Sequence, residues 1–177
     1  MKKKLISSMA ALGTCLMLSL PLSLNAANGP DPSLVDIAVK LNAPGGAAEG
    51  QFDTLIAAVL VADPAVLETL SGYGQRTVFA PTDDAFAALG LDESNVGDLD
   101  QTVLTQILLY HVAPGRRAAV SVTRKNRIRM LFGGFLRQQG GVLTDNTGGK
   151  ATIIVTDQFA QNGVIHAIDS VVLPYAL

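Results

Sequence analysis

The sequence predicts an α+β domain, with helices packed on an antiparallel sheet, and three observations carry that expectation. Between Leu34 and His111 the apolar residues recur at helical spacing. From Arg117 onward they lie instead in short runs broken by Gly-Gly pairs and by Asp145-Asn146-Thr147-Gly148-Gly149, the pattern of strands and hairpin turns. Helices first and strands after argue against an alternating doubly wound fold. The third observation is composition. Of 177 residues 49% are apolar and 16% charged, and the mean hydropathy is +0.35, too apolar for a chain that stays disordered. The length suits one domain. With one cysteine, Cys15, the chain has no internal disulfide, no Cys-x-x-Cys redox pair and no two-Cys, two-His zinc site, so packing must hold the fold.

Residues 1–26 read as a secretory signal peptide. Lys2, Lys3 and Lys4 precede an apolar run from Leu5 to about Leu20, Pro21 breaks the helix, and small Ala26 and Ala27 follow at the cleavage point. The alternative is an uncleaved anchor, because Leu5 to Leu24 nears the roughly 20 residues that span a bilayer. Residues 27–33 are a turn-rich linker, residues 34–174 the domain, and residues 175–177 a C-terminal tail.

Within the domain, Leu34, Val35, Ala38, Val39 and Leu41 predict a helix that stops before Asn42-Ala43-Pro44-Gly45-Gly46. A second helix carries the stripe Leu55, Ile56, Val59 and Leu60, with Asp53 as its expected cap. Asp63-Pro64 starts a third, to Leu70, with proline at the first position where its missing amide costs nothing. Thr77 to Ala80 predicts a strand ended by Pro81. Thr82 is the expected cap of a helix holding Phe86 and Leu89, with Asp83 and Asp84 against its positive end. Asp100 caps a helix that runs through His111 and ends at Pro114-Gly115. Val120, Val122, Ile128, Met130, Val142, Leu143, Ile153, Ile154 and Val155 mark strands.

Catalytic patterns are thin. There is no Gly-x-Ser-x-Gly elbow, and Gly149-Lys150 is followed by Ala151 where a nucleotide loop needs a hydroxyl for Mg²⁺. The two histidines, His111 and His166, could join Asp169 or Asp83 in a metal or acid–base site. Their positions favour a structural role: His111 shares a helical face with Leu104 and Leu108, and His166 alternates with Val164 and Ile168 along a strand. Buried polar groups of that kind are held by hydrogen bonds. The expectation is therefore no enzyme, no metal and no cofactor.

Three segments carry a family resemblance. Thr77 to Phe86 (Thr-Val-Phe-Ala-Pro-Thr-Asp-Asp-Ala-Phe) resembles the first signature of the fasciclin domain, Leu108 to Arg116 resembles its Tyr-His motif, and Asn162 to Pro174 its closing signature. The resemblance implies the family's wedge of two antiparallel β-sheets with N-terminal helices packed on it. It implies structural roles for Thr82 as a helix cap, Asp83 near the Tyr-His helix end, Asn162 and Gly163, and His166 and Asp169 fixing the last strand. For function it implies cell-surface or matrix adhesion, with Tyr110 and His111 as candidate contact residues. In animal matrix members an Asp-Ile pair upstream of the Asn-Gly is credited, with the Tyr-His motif, with integrin binding. Here that pair is Asp157-Gln158, and the polar Gln158 removes an apolar contact.

Charge is divided along the chain. Asp31 to Asp100 holds twelve acids and two bases, and Gln101 to Leu177 eight bases and three acids. Arg116, Arg117, Arg124, Lys125, Arg127 and Arg129 are the candidate interaction residues, and in a hairpin Arg127 and Arg129 point the same way across Ile128. The expectation is an exported, monomeric adhesion module, secreted or periplasmic. Its partner is a cell-surface or matrix protein or an anionic polysaccharide, not nucleic acid, and it meets a membrane only through an uncleaved signal. The alternative is a carrier of a small apolar ligand such as a lipid or pigment, suggested by Leu131-Phe132-Gly133-Gly134-Phe135-Leu136.

Overall fold

Local sequence signals set most of the helices in the computed structural model, which describes residues 32–176. The expected signal peptide, its cleavage point, Cys15 and the linker up to Asp31 lie outside the described residues. Helix α1 (Leu34–Asn42) starts in a capping box, in which Ser33 and Asp36 each accept the other's backbone N–H. Helices α2 (Asp53–Val61) and α3 (Pro64–Ser71) follow, α3 opened by the Asp63 carboxylate on the Ala65 N–H. After β1 (Arg76–Pro81) come the short α4 (Asp83–Ala87) and then α5 (Gln101–Tyr110), capped by Asp100 on the amides of Thr102 and Val103.

The second half differs from expectation in two elements. Helix α5 closes at His111, as expected, but Val112–Pro114, where the sequence marks only a stop signal, is an extended strand, β2, paired with β1. Ala119–Thr123, expected to be a strand from Val120 and Val122, is a single helical turn, α6. Its first amide is held by the Asp157 carboxylate at 2.8 Å, a contact 38 residues away that no local pattern announces. Strands β3 (Arg127–Arg129), β4 (Phe135–Gln139), β5 (Val142–Thr144), β6 (Lys150–Ala160) and β7 (Gly163–Ile168) complete the chain.

The strands run in the order β2-β1-β7-β6-β5-β4-β3. All neighbours are antiparallel except β1 and β7, which are parallel over six residues, from Arg76 beside Gly163 to Pro81 beside Ile168. The sheet is therefore mixed, where periodicity alone predicts a purely antiparallel one. The wedge arises in β6. Its first residues pair with β5, the rest with β7, and the register slips twice between Ile153 and Gln158.

The central strands are buried on both faces, as a parallel pair requires. Val78, Ala80, Ile165 and Ala167 face the helices, in a core with Leu34, Phe52, Leu55, Val66 and Leu104. Phe79 and Ile168 face the other way, into a second core with Tyr110, Ile128, Met130, Leu136 and Leu143. One ridge of backbone thus separates two hydrophobic layers.

Candidate functional site

The residues singled out by sequence fall into two groups, one locked inside the fold and one outside it. Asn162 sits where α1, α3 and β1 converge. Its side-chain oxygen accepts the Leu34 N–H at 2.8 Å, and its amide donates to the carbonyls of Leu70 and Gly72 at 2.7 and 3.0 Å. Gly163 follows because nothing larger fits. A Cβ there would collide with the Arg76 carbonyl and lie 2.9 Å from Leu34 Cδ1. The Asn-Gly pair is thus a joint between helices and sheet.

Asp83 caps a helix other than its own. Its carboxylate accepts the amides of Asp53 and Thr54 at 3.2 and 2.9 Å, at the start of α2, which has no side-chain cap from within. Asp53, expected in that role, accepts from Asn42 instead. Asp83 therefore joins the first signature to α2 and not to the end of the Tyr-His helix. Thr82 holds the N-cap position of α4, buried, but its hydroxyl makes no capping bond. Asp169 accepts the Thr152 N–H at 2.6 Å and donates its own N–H back to the Thr152 carbonyl, tying the end of β7 to β6.

Both histidines are buried and committed. His111 Nδ1 donates to the Ile107 carbonyl at 2.8 Å, and Nε2 accepts the Val172 N–H at 3.2 Å. Burial pushes its pKa down to about 4. His166 Nε2 donates to the Arg117 carbonyl at 2.8 Å, Nδ1 accepts the Asp157 N–H at 3.2 Å, and the ring stacks on Phe79. Burial lowers its pKa as well. Two neutral rings with both nitrogens occupied have no lone pair for a metal and no proton to shuttle. Among the described residues no three His, Cys, Asp or Glu side chains converge on a metal position.

Tyr110, the other candidate contact residue, is fully buried, with its hydroxyl donating to the Phe135 carbonyl at 3.1 Å. Neither it nor His111, 2% exposed, presents a surface to a partner. Asp157, in the pair that the resemblance associates with adhesion, has a left-handed backbone at φ 59° in the β6 irregularity and caps α6. That geometry gives Asp157 a structural task.

The six candidate cations do not form one strip. Arg116 folds back, its guanidinium donating to the carbonyls of Ala160 and Gln161 beside Phe159. Arg117 is half-buried and tied to Thr77 and His166 through its backbone. Arg124 and Lys125 are exposed at the end of α6. Arg127 and Arg129 flank buried Ile128 on β3 and point outward together.

Strand pairing adds two cations that sequence reading did not single out. Arg127 is opposite Arg137 on β4, Arg137 opposite Thr144 on β5, and Thr144 opposite Lys150 on β6. All four side chains belong to one face of the sheet, in a row with a strand spacing of about 4.8 Å. Arg129 and Phe135 form the next row, and the Arg127 guanidinium lies 4.1 Å from the Phe135 ring centre. Arg137 was detectable by alternation from Phe135; Lys150 required the register. The three carboxylates of this half lie elsewhere, Asp145 on Thr147, Gly149 and Leu173, Asp157 on Ala119, and Asp169 on Thr152. Beside the row is an open, polar groove of about 580 Å³ lined by Asn126, Arg127, Arg137, Gln138, Gln139 and Thr144.

Leu131 to Gly134 form the turn between β3 and β4, and Phe135 and Leu136 open β4; Leu136 is buried in the second core, while Leu131, Phe132 and Phe135 are partly exposed. An apolar cavity lies elsewhere, among the first three helices.

The family model described as Fasciclin domain matches residues 50–174. The chain belongs to the fasciclin family. It is 46% identical over 127 residues to Protein sll1483 of Synechocystis, covering 70% of this chain and 67% of that protein. A second Synechocystis protein, sll1735, is 35% identical over 148 residues, covering 80% of this chain and 98% of its own. Human periostin is 31% identical over 130 residues, which are 70% of this chain but 15% of periostin. Among solved structures, the FAS1 domain pair of the insect cell adhesion molecule Fasciclin I superposes with a TM-score of 0.55 at 23% identity, over 70% of this chain and 45% of that one. The fasciclin fold expected from the motifs is the fold observed. Helix α1 precedes the span that the family model matches, yet Asn162 bonds it to the rest.

Proposed function

We propose that this fasciclin-domain protein is an exported interaction module of the adhesion type, and that its contact surface is the outer face of β3 to β6, which takes an anionic polysaccharide. The observation that carries the reading is the row Arg127, Arg137, Thr144 and Lys150. Like charges directly opposite across a strand pair are destabilising. Cations are common on edge strands, where they prevent sheet-to-sheet association. That accounts for Arg127 and Arg129 on β3, but Arg137 is paired on both sides, with Arg127 and with Thr144. A row of carboxylates or sulfates along a polymer would relieve the repulsion, and Arg would hold each group in two parallel bonds. The FAS1 domain pair whose fold this chain shares comes from a protein described as a cell adhesion molecule, which supports the general class.

Exposed charges are screened over roughly 8–10 Å at physiological ionic strength, so attachment is salt-sensitive and depends on many weak contacts along the polymer. The test is retention on immobilised dextran sulfate and polygalacturonate. The parent protein is expected to bind at low salt and elute as salt rises. Replacing Arg127, Arg137 and Lys150 by Glu is expected to abolish retention and leave the melting temperature within a few degrees. Equal retention of parent and variant overturns the assignment.

A further inference from the structure

Helix α2 is apolar on every side, Leu55-Ile56-Ala57-Ala58-Val59-Leu60-Val61, yet it lies at the surface. Such helices are ordinarily enclosed. Here Leu55 and Ala58 enter the core, while Leu60 is 70% exposed and Val61 44%. Between α1, α2 and α3, floored by β1, is a cavity of about 80 Å³ whose walls include Val35, Ala38, Val59, Leu60 and Leu67. Its mouth is lined by exposed apolar side chains, Val39 and Leu67 as well as Leu60.

We propose that this cleft is a binding site for an uncharged, linear hydrocarbon chain, separate from the basic sheet face and independent of its role. Three observations select that occupant. His111 is the one side chain of the lining with nitrogen or oxygen, and both its nitrogens are used inside the protein. The wall therefore offers nothing to a polar or ionised group. The surrounding half of the chain is acidic, with twelve acids against two bases between Asp31 and Asp100; beside the lining residues of α1 and α3 the exposed Asp36 and Glu68 outnumber Lys40, next to Val39. An anionic headgroup at the mouth is repelled. Size favours a chain: the enclosed part, about 80 Å³, is about half the roughly 150 Å³ that holds a benzene, so it takes a few methylenes end-on, and the rest of a longer chain lies along the open mouth over Val39, Leu60 and Leu67.

The site is tested on the purified protein with 1-decanol and with decanoate as probes, followed by methyl NMR and by competition with a fluorescent alkyl alcohol. Decanol is expected to bind saturably and to shift the methyls of Val35, Val59 and Leu67, and decanoate to bind at least tenfold more weakly. Ala38→Leu fills the cavity and is expected to remove decanol binding while holding or raising the melting temperature. Leu60→Asp, at a position too exposed to disturb folding, is expected to weaken binding at least tenfold. Absent saturation with decanol, undiminished binding in both variants, or equal binding of decanoate overturns the proposal. So does sedimentation showing a dimer that Leu60→Asp dissociates, because the cleft would then be covered by a second copy of the chain.

Discussion

The ridge formed by the parallel pair β1 and β7 and the arm formed by β3, β4 and β5, antiparallel throughout, solve opposite problems. In the ridge, polar side chains are drawn inward and each has a partner: Asn162 makes three hydrogen bonds, and His111 and His166 two each. In the arm, Ile128, Leu136 and Leu143 bury one face, and the other is crowded with cations that lack a carboxylate. A polar group inside must be satisfied by the protein itself. One outside can wait for a ligand. The fasciclin motifs map to the ridge and to the α5–β2 segment beside it, so they mark how the fold is held, whereas the contact surface proposed above lies in the part that the motifs do not cover.

If the ridge is a structural joint, changes there should be costly. Gly163→Val is expected to have the largest effect, because the new side chain meets the Arg76 carbonyl and Leu34 with no room to yield. Overpacking against backbone of this kind should remove about 3 kcal/mol or more, read as a lower urea midpoint. A variant as stable as the parent would show that α1 and β1 do not meet as closely as the structure has them.

Acid should open the same ridge. His111 titrates near 4 in the folded protein, against about 6.5 in the unfolded chain. Below pH 6.5 the unfolded state binds a proton that the folded state refuses, so stability is full above that pH and falls as pH drops toward 4. Each unit in that window removes about 1.4 kcal/mol, about 3 kcal/mol in all. His166, lowered by burial too, acts in the same direction. Denaturant titrations from pH 7 to 4 should therefore show a steep loss, and His111→Asn should flatten it by about one proton. An unchanged slope in that variant would place the titration elsewhere.

Asn162→Ala ranks next. It strands the Leu34 amide and the Leu70 carbonyl, both buried, at a cost of about 2 kcal/mol. Hydrogen exchange should rise first in α1, whose start that bond secures. Uniform exchange across the chain would mean that α1 does not depend on it.

Legibility in the sequence follows the same division. Helices α1, α2, α3 and α5, and strand β1, are announced by their own residues, through periodicity, Asp100 and Asp63 caps, and Pro64. What escaped is set by partners far along the chain. Helix α6 depends on Asp157, α2 is capped by Asp83, and the parallel pairing of β1 with β7 joins residues nearly ninety positions apart. The cation row depends on register across four strands, which is why Arg127 and Arg129 could be paired by alternation and Lys150 could not. The apolar cleft is not legible in the sequence for a related reason. A run such as Leu131 to Leu136 shows that apolar side chains are close in sequence, but a cavity is formed by α1, α2 and α3 failing to close on one another.

The smallest effect on stability is also the sharpest test of the arm. Arg137 stands between Arg127 on one side and Thr144, then Lys150, on the other. Arg137→Glu turns a repulsive cross-strand pair with Arg127 into an attractive one, for which cross-strand pairs of opposite charge suggest a gain of about 0.5 kcal/mol. The same change removes the central cation from the proposed contact row, so retention on a sulfated polymer should fall. Stability and binding are expected to move in opposite directions, and the stability gain should fade with added salt as the pair is screened. A merely solubilising row predicts a different result, with the same small gain and unchanged retention. Loss of both stability and retention would point instead to Arg137 as part of the fold, and the row would then have no claim to be a surface kept for a partner.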